Sequence, residues 1–235
     1  MINNSLLTFS QKKQLSQKGV CCKTFVYVFA CAFQSTTKLK ALIAVINYNA
    51  GNVRSVLFAL ERLGVNAKLT ADHQEIRSAE KVIFPGVGEA NSAMAHLREH
   101  GLDEVIKSLT QAVLAICIGQ QLLCEHSEEN DTDCLGIIPQ KVRLFRPEHQ
   151  EKVPHIGWNQ IHDLKNGVFD PSLEKEYVYY VHSYYVELGK YTTATTDYVL
   201  PFSAGLQKDN FYATQFHPEK SGSVGARILE NFLKL

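Results

Sequence analysis

The chain has 235 residues, of which 45% are hydrophobic and 20% are charged, and its formal net charge at pH 7 is zero. This length and balance predict one globular domain of about 200 residues. The zero net charge gives no reason to expect nucleic acid or an acidic surface as a partner.

Residues 1–40 differ in composition from the rest of the chain. They contain six lysines and no acidic residue, which leaves 18 basic and 24 acidic residues, a net charge of −6, for residues 41–235. The apolar run at 24–33 resembles part of a signal peptide, but it is about half as long as a membrane-spanning helix. We interpret residues 1–40 as an N-terminal extension, either disordered or read from an upstream start, and place the domain at residues 41–235.

Apolar runs alternate with helical patterns from residue 41 to about residue 125. Strands are predicted at 41–46, 65–69, 81–84 and 113–116. Helices are predicted at 52–63, at 72–78, from 89 with a break near Gly101, and directly after Cys117. From 137 to 215 the pattern is strand-rich, and a helix at 224–233 closes the chain. The β-α-β-α order predicts an α/β fold with an open, mostly parallel sheet flanked by helices and a strand-rich second half.

Three of the six cysteines lie in the domain, namely Cys117, Cys124 and Cys134. An odd number without a spaced framework favours free thiols in a reducing compartment, and we expect a cytoplasmic protein. Cys124, His126 and Cys134 could be imagined as metal ligands. No CxxC pair or fourth ligand accompanies them, so the sequence favours buried or incidental cysteines and predicts no metal.

Cys117 ends a predicted buried strand and begins a helix without an intervening loop. This is the pattern of a nucleophile elbow, in which a sharp turn projects the reactive side chain above the sheet. Small residues are needed two positions before and after the nucleophile, and Ala115 and Gly119 occupy them. The N–H group of Ile118 would then face a developing oxyanion. A buried cysteine that only packs as a small hydrophobe is the alternative.

His217-Pro218-Glu219 provides a base and a carboxylate at suitable spacing. Proline keeps the residue before it extended, and residues two apart in an extended segment face the same side. Glu219 can therefore hold one imidazole nitrogen of His217 while the other faces a nucleophile, for which Cys117 is the candidate. A surface turn with an incidental histidine and glutamate is the alternative.

The segment after the predicted strand at 81–84 is Pro85-Gly86-Val87-Gly88. Its glycines allow backbone N–H groups to turn into a site, and the N–H of Val87 or Gly88 is a candidate oxyanion donor. An ordinary strand-to-helix turn would look the same.

Together these segments resemble the class I, triad-type glutamine amidotransferases. More narrowly, the chain resembles the glutaminase subunit of imidazole glycerol phosphate synthase, an enzyme of histidine biosynthesis, from about residue 42 to the C-terminus. The motifs that carry the resemblance are Gly51-Asn52-Val53-Arg54-Ser55-Val56, Pro154-His155-Ile156-Gly157-Trp158-Asn159, Val181-His182-Ser183-Tyr184-Tyr185 and Gln215-Phe216-His217-Pro218-Glu219. The resemblance implies a flavodoxin-like core and no organic cofactor.

The resemblance also implies roles for individual residues. Cys117 would be the nucleophile, His217 the acid–base and Glu219 its orienter. Substrate and oxyanion contacts would come from Gly86, Val87, Gly88, Ile118, Gln121, His182, Ser183 and Tyr184. A partner interface would include Asn49, Asn52, Arg54 and Trp158, although Trp158 could equally pack in the core.

Two residues depart from the family pattern. Ala115 stands where the family usually has glycine, and the extra methyl group could shift the elbow. Gln120 stands where an apolar residue is usual, and we expect it at the rim of the fold, because a core glutamine would need a hydrogen-bond partner.

The domain contains nothing that would consume ammonia, so a partner must. The resemblance implies a (β/α)8-barrel cyclase as that partner, in a heterodimer that makes imidazole glycerol phosphate and an aminoimidazole carboxamide ribonucleotide. One alternative is a glutaminase that feeds another synthase, of the pyridoxal phosphate or anthranilate type. A second alternative is a catalytically silent subunit that only stabilises its partner, against which the complete set of triad residues argues.

Overall fold

The computed structural model describes residues 42–48, 53–86, 88–165 and 167–235. The predicted extension at 1–40 lies outside the described residues, as do Asn49, Asn52 and Val87 from the predicted site.

A seven-stranded sheet forms the centre of the fold, in the order β11-β12-β13-β4-β3-β1-β2. Its strands are β1 (Ile43–Ile46), β2 (Ala67–Thr70), β3 (Lys81–Phe84), β4 (Val113–Ile116), β11 (Thr192–Asp197), β12 (Pro201–Lys208) and β13 (Phe211–Thr214). The five strands from β13 to β2 are parallel, and β12 and β11 extend the sheet antiparallel. The predicted mostly parallel sheet is therefore confirmed.

Helices cover both faces of this sheet. They are α1 (Val53–Arg62), α2 (His73–Ser78), α3 (Ala90–Glu99), α4 (Leu102–Lys107), α5 (Ile118–Leu123) and α6 (Gly222–Lys234). Apolar residues of α2 to α5 pack in one buried cluster, and those of α1 and α6 pack in the other. β1, β3 and β4 are buried along their whole length because both of their faces are covered.

Local signals account for two of the helix boundaries. The Asp72 side chain accepts hydrogen bonds from the backbone N–H groups of Gln74 and Glu75, so it caps α2. Gly101 adopts φ +63 between α3 and α4, a conformation that favours glycine and breaks the helix where the sequence predicted. In the part of the chain that the structure describes, no helix is both long and apolar enough to cross a membrane.

The second half adds two smaller sheets beside the site. One contains β5 (His126–Ser127), β6 (Thr132–Asp133), β7 (Lys141–Leu144) and β10 (Tyr184–Val186). The other is an antiparallel ribbon of β8 (His155–Gln160) and β9 (Tyr177–His182). The prediction of a strand-rich second half holds.

Candidate active site

Cys117 occupies a sharp turn between β4 and α5, at the carboxyl edge of the central sheet. It adopts φ +54, and its N–H donates to the Thr214 carbonyl oxygen at 2.7 Å, which ties it to the end of β13. A Cβ atom on Gly119 would lie 2.4 Å from the Phe84 carbonyl oxygen, so a larger residue does not fit where the helix crosses β3. A strained non-glycine residue and a compulsory glycine two positions later are the features of a nucleophile elbow.

Ala115 is compatible with this crossing. Its Cβ lies 3.6 Å from the position that a Cβ on Gly119 would take, which is an ordinary van der Waals contact. The methyl group that departs from the family pattern therefore causes no clash at this crossing.

His217 and Glu219 follow β13, the strand next to β4, and so reach the edge where Cys117 lies. The Nδ1 atom of His217 is 2.8 Å from Oε1 of Glu219, and the two side chains are 1% and 2% exposed. Because Nδ1–H donates to the carboxylate, Nε2 is the nitrogen left to exchange a proton, and it has no hydrogen-bond partner. The free nitrogen and the Cys117 sulfur line the same cavity.

The backbone of His217 is held by the ribbon. Its N–H donates to the Tyr179 carbonyl oxygen at 3.0 Å. The Ser221 hydroxyl donates to the His217 carbonyl oxygen at 2.7 Å and accepts from the Tyr179 N–H at 3.0 Å. Two hydrogen bonds thus join Tyr179 of β9 to the segment from His217 to Ser221, and a third, between Ser221 and His217, braces that segment internally.

Charge in the site favours a protonated His217. Burial alone lowers the pKa of His217, but the neighbouring Cys117 sulfur and the Glu219 carboxylate outweigh burial, so the pKa of His217 lies above its usual value. A protonated imidazole beside the sulfur stabilises the thiolate, which is the nucleophilic form of cysteine.

The cavity beside Cys117 has a volume of about 380 Å³. Its lining includes six of the eight residues predicted to bind the oxyanion and substrate, namely Gly88, Ile118, Gln121, His182, Ser183 and Tyr184. Pro154, Val181 and Glu129 complete the wall together with Cys117 and His217. This volume suits an amino acid with an extended side chain.

Gly86 lies behind the wall and does not line the cavity. A Cβ there would meet the Ile118 side chain and lie 2.7 Å from the Gly119 nitrogen, and the Tyr48 hydroxyl donates to the Pro85 carbonyl oxygen at 2.6 Å. The loop is therefore fixed at its start. Gly88 adopts φ +120, and a Cβ there would meet nothing within 4 Å.

Residues 44–235 match the family described as glutamine amidotransferase class-I. The chain belongs to this family.

Within this family, the chain is closely similar in sequence to proteins of one kind, the HisH subunits. The chain is 59% identical over 194 residues to imidazole glycerol phosphate synthase subunit HisH of Bacteroides fragilis strain YCH46, covering 82% of this chain and 99% of that protein. It is 47% identical over 195 residues to subunit HisH 2 of Legionella pneumophila strain Philadelphia 1, covering 83% and 98%. A crystal structure of a glutamine amidotransferase has TM-score 0.63 at 19% identity, over 81% of this chain and 97% of that one, a likeness of fold.

His182 forms part of the cavity wall. Its Nδ1–H donates to the Tyr184 carbonyl oxygen at 2.8 Å, and its Nε2 is 3.0 Å from Nδ1 of His155. Burial lowers the pKa of His182 to about 3 and that of His155 to about 4, so both imidazoles are neutral at pH 7. His182 therefore contributes position, and no positive charge, to the cavity.

Glu129 was not predicted, although it is the only acidic residue among those described as lining the cavity. Its Oε2 accepts a hydrogen bond from the Ala90 N–H at 2.7 Å, at the start of α3. Burial raises the pKa of Glu129, while the bond from Ala90 acts in the opposite direction. In sequence it belongs to the polar run 127–133, which looks like a solvated turn, so no local signal marks it.

The expectation that Gln120 lies at the rim is wrong. All six residues of α5 are buried, and Gln120 is 0% exposed. Its Nε2 donates to the Ser203 carbonyl oxygen at 3.0 Å, whereas its Oε1 has no partner. Of the two polar ends of this buried amide, the nitrogen is therefore hydrogen-bonded and the oxygen is not.

Possible metal ligands do not include the cysteines considered above. Among the residues that the structure describes, one group, His96, Glu99 and His100, has ligand atoms within 4.8 Å of one another. None of these three residues lines the cavity.

Two of the four predicted interface residues are described. Trp158 is 55% exposed on β8, which rules out the alternative that it packs in the core, and Ile156 beside it is 60% exposed. Arg54 is exposed in the first turn of α1. Ile156 and Trp158 are two apart on one strand, so they share the outer face of the ribbon.

Proposed function

We propose that this chain is the glutamine-hydrolysing subunit of an imidazole glycerol phosphate synthase, with Cys117, His217 and Glu219 as its catalytic triad. The observation that carries the proposal is the free Nε2 of His217 beside a strained elbow cysteine in one cavity. The HisH relatives support this subunit over glutaminases of other synthases and over a silent subunit.

The reaction begins when the Cys117 thiolate attacks the side-chain amide carbon of glutamine. A carbon–sulfur bond forms, and the carbonyl oxygen takes up negative charge opposite the Ile118 N–H and the loop at Gly88. As the carbon–nitrogen bond breaks, protonated His217 gives its proton to the departing ammonia. The product is a thioester with the glutamyl group.

Neutral His217 then removes a proton from water. The resulting hydroxide attacks the thioester, and the carbon–sulfur bond breaks to release glutamate and regenerate the Cys117 thiolate. Glu219 keeps the imidazole oriented through both steps and stabilises its positive charge. Every proton that leaves Cys117 or water passes through one nitrogen, Nε2.

The amino-acid end of glutamine would bind at the wall opposite the sulfur. Glu129 supplies a carboxylate for the α-ammonium group, and the backbone at Ser183 and Tyr184 would hold the α-carboxylate. This arrangement follows from the charges of the lining, because neutral His182 offers no cation.

A separate cyclase subunit would receive the ammonia, and we infer that it is a (β/α)8-barrel protein. The exposed face formed by Ile156 and Trp158 belongs to the ribbon whose other strand, β9, contributes Val181 and His182 to the cavity wall. A partner seated on this face would therefore lie against the ribbon that forms part of the cavity wall. A cytoplasmic location of the complex remains a prediction.

One experiment separates this function from the alternatives. Glutamate release is measured for the chain alone, with the barrel cyclase, and with the cyclase plus its nucleotide substrate. We expect low glutamate release by the isolated chain and at least about a hundredfold increase with the nucleotide-loaded cyclase. An increase of this size is expected if docking of the cyclase completes the oxyanion site with one further N–H donor. Absence of glutamate in all three samples would contradict the proposed function.

The Glu129 contact gives a further prediction. Glu129→Gln preserves the shape but removes the charge opposite the α-ammonium group, so we expect KM for glutamine to rise about tenfold with little change in kcat. The exposed neighbour Glu125→Gln is the matched control and should behave as the unmodified protein. An unchanged KM in Glu129→Gln would place the ammonium elsewhere.

A further inference from the structure

Gln215 is fully buried between the nucleophile and the substrate wall. Its Nε2 donates to the Cys117 sulfur at 3.8 Å, and its Oε1 accepts from Nε2 of Gln121 at 3.0 Å. The reverse orientation of the amide would set two NH2 groups against each other and an oxygen against the sulfur. The orientation of Gln215 is therefore fixed by its neighbours.

Gln121 uses both of its N–H groups inside the wall. One N–H donates to Oε1 of Gln215 and the other to the Tyr184 carbonyl oxygen, each at 3.0 Å. Because Gln121 lines the cavity, its Oε1 is the polar atom left for a ligand. A glutamine that could otherwise donate or accept is thus restricted to accepting.

The Tyr184 carbonyl is itself held in place. It accepts from Nδ1–H of His182, and Nε2 of His182 accepts from Nδ1–H of His155. Burial keeps both imidazoles neutral, so each has one donor and one acceptor nitrogen. Hydrogen bonds are therefore donated in one direction, from His155 to His182 and from His182 to the Tyr184 carbonyl oxygen.

The outer end of the chain is fixed by backbone groups. The Asn159 side chain accepts from the Gln160 N–H and donates to the Asp197 carbonyl oxygen, both at 2.8 Å, which sets its amide orientation. Its nitrogen then faces Nε2 of His155 at 3.4 Å. The histidine tautomers follow from this anchor.

We propose that Gln215 is a positioning residue of the glutaminase reaction, which stabilises the Cys117 thiolate with one end of its amide and holds Gln121 as a hydrogen-bond acceptor for glutamine with the other. The inference rests on the proposed function for the identity of the substrate. The bond to sulfur strengthens when the thiol ionises, because hydrogen bonds to charged acceptors are stronger than neutral ones. Loss of the amide therefore affects the thiolate and the substrate contact together.

The test replaces the amide with an apolar chain of similar length. In Gln215→Met we expect the Cys117 sulfur to react with iodoacetamide about tenfold more slowly near neutral pH, with the pH profile displaced upwards. KM for glutamine in the complex with the cyclase should rise about fivefold or more, since Gln121 loses one of its two anchors. Alkylation is read at the Cys117 peptide by mass spectrometry.

Gln120→Met is the matched control. Gln120 is equally buried and belongs to the same helix as Gln121, but its amide donates to the carbonyl oxygen of Ser203, which does not line the cavity. We expect alkylation and KM within about twofold of the unmodified protein. Cys124 and Cys134 will not compete, because burial raises the pKa of both thiols, that of Cys134 to about 12.

An alkylation rate in Gln215→Met equal to that of the unmodified protein would overturn the proposal. If that variant does not fold, NMR of the unmodified protein decides: the side-chain amide of Gln215 should shift as Cys117 ionises, and that of Gln120 should not. If the chemical shift of the Gln215 side-chain amide did not change as Cys117 ionises, the proposal would be overturned as well. Failure of the glutaminase function would appear separately, as absent glutamate release by the unmodified complex, because alkylation needs neither partner nor glutamine.

Discussion

Cys117→Ala should abolish glutamine-dependent synthesis by the complex while leaving ammonia-dependent synthesis unchanged. Among the described residues that line the cavity, Cys117 has the only sulfur that could form the thioester, so we expect glutamate release to fall at least about 10⁴-fold. The cyclase reaction with added ammonium salt uses the other subunit and should keep its rate. The measurement is product formation with glutamine and, separately, with ammonium ions.

Cys134→Ala provides the control for this prediction. Cys134 is a partly buried, free cysteine that does not line the cavity. We expect both activities of its complex to remain. Glutamate release that survived in Cys117→Ala would place the nucleophile elsewhere, and loss of ammonia-dependent synthesis would show that the cysteine supports the partner rather than the chemistry.

Gly225→Ala should disturb the turn that carries Glu219, because α6 packs against this turn outside the cavity. Helix α6 packs against the 3-10 turn Pro218–Lys220, and a Cβ on Gly225 would lie 1.9 Å from the Pro218 carbonyl oxygen. Helix propensity alone favours alanine over glycine by about 1 kcal/mol. A clash with backbone outweighs it, so we expect a net loss of about 2 kcal/mol in the free energy of unfolding.

The same substitution should impair catalysis more than stability. Pro218 stands between His217 and Glu219, so moving its peptide misplaces the imidazole relative to Cys117. A displacement of about 1 Å corresponds to about a hundredfold loss in kcat/KM. Urea unfolding and steady-state glutaminase assays measure the two effects, with the exposed Ser223→Ala on the same helix as control. A more stable and fully active Gly225→Ala protein would contradict this account of the packing.

The sequence predicted the elements whose pattern is local. Strands β3 and β4 were placed at their observed bounds because each is a short apolar run covered on both faces. Strands β5 and β6 have two residues each, too few to leave an alternation. They are defined by their partners, and pairing across distant segments is invisible in a window of sequence.

The site was predictable in part for the same reason. The elbow and the histidine–glutamate pair have spacings that reflect backbone geometry, so Cys117 and His217 could be proposed from short segments. Glu129 is positioned by a hydrogen bond from the N–H of Ala90. Gln215, which follows β13, is positioned by a hydrogen bond to the sulfur of Cys117, which follows the neighbouring strand β4. Such roles depend on the tertiary structure, which also buried Gln120 where the rim had been expected.

The two hydrogen bonds between Tyr179 of β9 and the segment from His217 to Ser221 couple the position of the outer ribbon to that of the His217 backbone. The Trp158 ring contacts the Tyr179 ring at a centroid distance of 5.9 Å, so a small molecule that displaced Trp158 would act on Tyr179, and through it on the His217 backbone, without entering the cavity. Inhibition of this kind would be non-competitive: raising the glutamine concentration would not relieve it. The ribbon is therefore a candidate binding site for inhibitors that do not resemble glutamine.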